Sequence, residues 1–313
     1  MKRIYFNEVV TRDGFQNEAA FVPTDEKIRL IDQLSLCGFG KIEVTSFTSP
    51  KAIPMLRDAD EVMHKIKRVP DVQYTVLVPN LRGAERAMSA MADELNLVMS
   101  CSETHNLSNL RMTRAESLTA LHEVINFVDG RTPINVSLST SFGCPMEGTV
   151  SLRTVLEYAQ KFSDWGVRGL TICDTTGMAY PSQVSQWVEA LRACAPNVEL
   201  TLHFHNTRGM GLANILAAAQ SGIDQFDGSL GGLGGCPYAP GASGNVCSED
   251  GIHMLSSMGY ETGIDLPELL KVARSLAAIV GHEVPGQIVK AGLTTDLHKP
   301  SQRVQALLGG KND

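Results

Sequence analysis

The chain has 313 residues, 43% hydrophobic and 19% charged, the balance of a well-packed soluble enzyme whose core needs no staples. A formal net charge of -7 argues against a nucleic-acid surface, and no apolar run approaches the ~20 residues of a membrane helix. Seven cysteines without a CxxC pair make a poor disulfide or zinc pattern, and Glu8 is acidic too early for a signal peptide, so a reducing, cytoplasmic setting is expected.

Short β-branched or aliphatic runs alternate with longer amphipathic ones along the chain. The runs that read as strands are residues 3–9, 41–45, 73–78, 94–99, 134–139, 169–173, 199–204 and 225–229. Helical patterns lie between them. Residues 24–37 put Ile28, Ile31, Leu34 and Leu36 on roughly one face, and residues 151–165 repeat the design. The helix over 181–194 opens with proline at an early position, and another over 214–221 follows the seventh strand. Eight such alternations in this length favour a (β/α)8 TIM barrel over an open sheet. The expected division is a catalytic barrel over 1–264 and a C-terminal helical extension over 265–313, with 266–280 its clearest helix.

In a barrel, chemistry collects at the C-terminal ends of the strands. Unusual polar residues stand there: Arg12-Asp13-Gly14-Phe15-Gln16, Glu43-Val44-Thr45-Ser46, Asp174-Thr175-Thr176-Gly177 and His203-Phe204-His205-Asn206. Two residues apart on a strand, His203 and His205 share a face. With a carboxylate from Asp13 and an amide oxygen from Asn245 they form a two-nitrogen, two-oxygen set, which points to Mg²⁺ or Mn²⁺ rather than a closed zinc site. Arg12 and Asp13 reach one site only if the chain turns at them, and Gly14 eases such a turn. The run Gly231–Gly235 lacks P-loop or dinucleotide-fold spacing and reads as a hinge that carries Cys236 to the site. His64, His122, His253 and His298 have no ligand spacing, and Cys37, Cys101, Cys173, Cys194 and Cys247 read as buried small residues. Cys144 faces the site region without a base beside it in sequence.

Together these motifs resemble the 3-hydroxy-3-methylglutaryl-CoA lyase family, metal-dependent TIM-barrel lyases related to Claisen-type synthases. The resemblance spans nearly the whole chain. Its most specific piece is Gly232-Leu233-Gly234-Gly235-Cys236-Pro237-Tyr238-Ala239, followed by Gly241-Ala242-Ser243-Gly244-Asn245. It implies that Asp13, His203, His205 and Asn245 bind the metal, that Arg12 stabilises an enolate and that Cys236 protonates it. Glu43 and Asp174 match positions that shape the site, and Gln16 and Asn109 match active-site positions. The implied substrate is an acyl-CoA, the implied reaction a retro-Claisen cleavage with Asp13 or His203 as base, and the implied assembly a homodimer. The chain departs from the pattern at Val10-Thr11, Asn206, Arg208 and Pro240, all near the substrate mouth, which bears on the acyl group more than on the reaction.

Overall fold

The computed structural model describes residues 2–235 and 244–309. Eight parallel strands close into a barrel in sequence order: β1 Tyr5–Glu8, β2 Lys41–Ser46, β3 Gln73–Val78, β4 Glu94–Ser100, β5 Ile134–Ser139, β6 Gly169–Asp174, β7 Glu199–Phe204 and β8 Gln225–Gly228. β1 pairs with β8 in the register Asn7↔Asp227 and Glu8↔Gly228, which seals the cylinder. The expected strands and the observed ones agree to within two residues at each end. Parallel strands need long crossovers, and helices supply them.

Those helices are α1 Thr24–Ser35, α2 Ala59–Lys65, α3 Leu81–Ser89, α4 Glu103–Leu110, α5 Arg114–Val128, α6 Leu152–Asp164, α7 Pro181–Cys194, α8 Gly211–Gln220 and α9 Ser248–Ser257. Their starts follow local chemistry. Asn80, Ser102, Thr113 and Ser151 each accept a backbone N–H at a helix N-terminus, and Thr113 with Glu116 forms a full capping box. One expectation needs correction. The helix read over 24–37 ends at Ser35 and buries Lys27, Leu30, Ile31 and Leu34, while Leu36 lies past its end and is 72% exposed. At 100° per residue, Leu36 could not have shared the face of Leu30 and Leu34.

Beyond the barrel, α10 Leu266–Val280 buries Leu266, Leu269, Leu270, Val272, Ala273 and Leu276 against it. Asp265 caps its start and Gly281, at φ 78°, ends it. The chain then turns back to the barrel mouth. His282 pairs with Glu18 at 2.7 Å, and Gly286 donates its N–H to Gly231 O at 3.0 Å. Short α11 Ile288–Ala291 is held by Asp250, whose carboxylate accepts the N–H groups of Gln287 and Ile288. α12 Gln302–Gly309 follows, with Val304, Leu307 and Leu308 exposed. No described helix is long and apolar enough to cross a membrane.

The candidate active site

The site begins where β1 ends. Val10–Gly14 does not continue the strand but forms one wide helical turn, in which Gly14 N–H reaches Val9 O at 3.3 Å and Asp13 N–H reaches it at 2.8 Å. This turn brings Arg12 and Asp13, neighbours in sequence, to one cavity. Gly14 lets it lie close to the segment after β8, since a Cβ there would stand 3.1 Å from Ser229 Oγ.

Asp13 sits at the centre. Its Oδ1 accepts from Arg12 Nη1 at 2.6 Å and from Gln16 Nε2 at 2.8 Å, and its Oδ2 accepts from Asn245 Nδ2 at 2.6 Å. Nε2 of His203 and Nε2 of His205 each lie 3.9 Å from Asp13 Oδ2. Among the described residues, Asp13, His203 and His205 form a buried group whose ligand atoms all lie within 4.8 Å of one another. Asn245 joins from the segment beside β7, with a bridge to His205. Its nitrogen also donates to Leu233 O at 2.9 Å, while its buried Oδ1 has no partner. A buried acceptor without a donor is costly unless something else satisfies it. A carboxylate, two imidazoles and an orphaned amide oxygen suit a divalent cation.

The electrostatics agree. Burial opposes the charge on Asp13, but Arg12 and the two histidines outweigh it and hold the carboxyl below its usual range. Burial, then the proximity of His203, pushes His205 down to about 3, so its ring is neutral and offers a lone pair. For His203, burial is overcome by the hydrogen bond and charge of Asp227, and its pKa rises. Asp227 Oδ2 meets His203 Nδ1 at 3.2 Å, the carboxylate–imidazole arrangement that orients a ligating histidine.

Arg12 is steered from below by Glu43, whose Oε2 accepts from Arg12 Nε at 2.5 Å and whose Oε1 accepts from Asn96 Nδ2 at 2.7 Å. Ser137, Ser139, Cys173 and Thr175 form the facing wall, with Leu77 and Val98 between. The cavity therefore carries a fixed guanidinium and the buried Asp13, His203 and His205 group on one side and small, mostly polar side chains on the other.

The sequence-predicted residues separate into three groups. Arg12, Asp13, Gln16, His203 and His205 line the cavity, with Asn245 bonded to Asp13. Glu43 and Asp174 stand behind it. Asp174 Oδ1 accepts the N–H groups of Met178 and Ala179 and so shapes the loop after β6, and burial pushes its carboxyl up to about 7. Asn109 is exposed on α4 and does not line the cavity; Asn106, one turn earlier, is the buried amide, accepting Ser100 N–H at 2.8 Å. Cys236 lies outside the described residues. His64, His122, His253 and His298 do not line the cavity. Of the five cysteines read as buried, Cys194 is half-buried, and Cys173 is buried yet lines the cavity. Cys144 is buried beside Ser102 rather than in the cavity wall. Of the residues that depart from the family pattern, Asn206 accepts Gly211 N–H at the start of α8, and Arg208 donates to the carbonyls of Thr176 and Gly177.

Sequence reasoning missed Asp227 and Cys173. Both could have been found from register: Cys173, His203, Asp227 and Asn7 are successive Cα partners across β6, β7, β8 and β1, so their side chains share the barrel interior.

Known proteins share this framework. The HMGL-like family model matches residues 3–276. Hydroxymethylglutaryl-CoA lyase YngG of Bacillus subtilis is 44% identical over 91% of this chain and 96% of its own length. (R)-citramalyl-CoA lyase of Chloroflexus aurantiacus is 37% identical over 93% of this chain and 96% of its own. A solved HMG-CoA lyase from Acinetobacter baumannii, in complex with coenzyme A and 3-methylmalate, superposes with a TM-score of 0.92 at 50% identity, covering 95% of this chain and 98% of that one. A family match over most of the chain, together with relatives of this similarity, shows that the chain belongs to the HMGL-like family and is a carbon–carbon lyase built on a TIM barrel.

Proposed function

We propose that the protein cleaves 3-hydroxy-3-methylglutaryl-CoA to acetyl-CoA and acetoacetate with Mg²⁺ or Mn²⁺. The observation that carries this reading is the group Asp13, His203 and His205 beside the orphaned Asn245 Oδ1, with Arg12 fixed next to it. Asp13, His203, His205 and Asn245 would hold the ion, which when bound supplies Lewis-acid polarisation of the substrate's hydroxyl and carboxylate oxygens. The chain's own residues do the rest. The base takes the proton of the C3 hydroxyl, the C2–C3 electron pair passes into the thioester, and an enolate forms as the ketone forms. Asp13 and His203 both face the cavity. Each is also a proposed ligand of the ion, with Asp13 held by Arg12, Gln16 and Asn245 and His203 held by Asp227, and one of the two is the base. The Arg12 guanidinium, held by Glu43, offsets the enolate charge. The Cys236 thiol gives C2 its proton, and solvent returns one to the sulfur as the base releases its own.

Purified protein with Mg²⁺ is expected to form both products, and EDTA to abolish them. Absence of turnover at high enzyme concentration would remove the substrate assignment. Cys236→Ala is expected to lower kcat by about two orders of magnitude or more with metal affinity near normal. A fully active variant would end the proton-donor role.

A second reading is a different 3-hydroxyacyl-CoA. Support comes from the citramalyl-CoA lyase relative, the 3-methylmalate bound by the A. baumannii enzyme, and the small Ser137, Ser139 and Thr175 side chains of the cavity wall. A panel of thioesters differing at C3 separates the two readings by kcat/KM. The proposed organisation is a barrel over 1–264 with an extension over 265–313, working as a cytoplasmic homodimer, which a sizing measurement checks.

A further inference from the structure

Glu8 takes no part in the chemistry above, yet it is fully buried at the end of β1, between the two segments that build the site. Its Oε1 accepts Val10 N–H at 2.9 Å and Leu230 N–H at 2.9 Å, two donors far apart in sequence. Val10 opens the turn that carries Arg12 and Asp13. Leu230 opens the turn Leu230–Gly232, which continues in sequence through Gly235 to Cys236. The next N–H of that second turn, Gly231, goes to both oxygens of buried Glu249, at 3.2 and 3.0 Å. The two segments touch again further on, since a Cβ on Gly234 would stand 2.8 Å from Asp13 O.

We propose that Glu8 is a positioning residue for the lyase reaction: one carboxyl oxygen, shared by Val10 and Leu230, fixes the Arg12–Asp13 turn against the stem of the Cys236 segment. The proposal rests on the cleavage reading, in which guanidinium and thiol act on the same enolate. The physical reason is the lone-pair count. An sp² oxygen accepts two donors, and a buried N–H that loses its acceptor is costly, so both turns are held to one atom. A carboxyl oxygen placed elsewhere could satisfy one turn but not both. The other oxygen, Oε2, is buried, and the carboxyl also interacts with the hydroxyl of Ser248, the first residue of α9, which favours its charged form but is outweighed by burial. Burial is the main cause that pushes the Glu8 carboxyl up to about 8, so it is mostly neutral at pH 7 and glutamine is its isostere. The charge of Glu249 acts on it in the same direction and raises that value further.

The test compares wild type with Glu8→Gln, Glu8→Ala and Glu8→Asp. Glutamine keeps the acceptor oxygen in place and is expected to hold kcat within about fivefold of wild type. Alanine removes the acceptor, and aspartate pulls it back by one methylene; each is expected to lower kcat by about 100-fold or more with KM within about threefold. If the alanine variant fails to fold, the aspartate–glutamine pair still decides. Aspartate active with glutamine inactive would mean that charge matters and not the placed acceptor. Wild-type kcat in the alanine variant would mean that Glu8 only fills space. A second readout does not need turnover: alkylation of Cys236 by iodoacetamide, followed by peptide mass, is expected to change by about fivefold or more in the alanine and aspartate variants and not in glutamine. Equal rates in all four proteins would overturn the proposal. If wild type leaves 3-hydroxy-3-methylglutaryl-CoA uncleaved, the substrate assignment fails, while the alkylation series still reports on Glu8.

Discussion

The amide of Asn245 faces two ways. Its nitrogen is spent on Asp13 and Leu233 O, and its oxygen is buried with no donor. Asn245→Ala is expected to weaken Mn²⁺ binding by about tenfold or more, read by titration with electron paramagnetic resonance. Unchanged affinity would place the oxygen outside the cage. Away from the site, Lys27 is 2% exposed and its ammonium lies 2.7 Å from Asp58 Oδ1, with Met55 O also accepting. Lys27→Met should strand a buried carboxylate and destabilise the fold by about 3 kcal/mol, measured as a shift in urea midpoint. At this scale the sequence was only partly legible. His203 and His205 announce themselves, because alternation along one strand puts i and i+2 on one face. Asp227 does not, because its neighbours Phe226 and Gly228 carry no signal and only the register with His203 and Asn7 brings it in. Asn109 was expected in the cavity but is exposed in the last turn of α4, while Asn106, one turn earlier, is the buried amide.

The strands were the most legible elements. Their inner and outer faces are both covered, so they read as short apolar runs with polar residues at one end. The wide turn at Val10–Gly14 was not legible in detail. Gly14 signals a bend, but the five-residue hydrogen-bonded turn depends on Val9 O and on Glu8, and so on packing against the segment after β8. The stem of that segment carries its own constraint. Gly234 has φ 100°, and a Cβ there would meet Asn245 Nδ2 at 2.5 Å and Asp13 O at 2.8 Å. Gly234→Ala is therefore expected to lower kcat by about tenfold or more and to weaken metal binding, because both the backbone and the cage must shift. Wild-type steady-state kinetics and metal titration in that variant would show that the stem has slack.

At the scale of the whole molecule, barrel closure was readable from the eight alternations, but the return of the chain after α10 was not. That return rests on Gly286 N–H meeting Gly231 O and on Asp250 holding the start of α11, contacts between distant segments. Stability against pH is also a property of the whole fold. Burial raises the folded-state pKa of Glu8 from 4.5 to about 8, and that of Asp174 from 3.8 to about 7. A folded state that keeps protons longer than the unfolded one gains stability in acid, fully below the unfolded values, and loses it as pH rises through the folded ones. For these two groups the loss falls between about pH 4 and 8. Thermal melts of the metal-free protein are expected to show Tm falling across that window, and Glu8→Gln to flatten the slope. An equal slope in the variant would remove Glu8 from the account.

The bond from Gly286 to Gly231 has a consequence for how the protein is made. A ribosome releases β8 well before it releases residue 286, so the cylinder can close while the stem beside the cavity still lacks its last support. The newborn chain is then a shut vessel whose working parts still sit loose. Its activity would switch on only once the segment around residue 286 has emerged and docked, rather than at the moment the barrel forms.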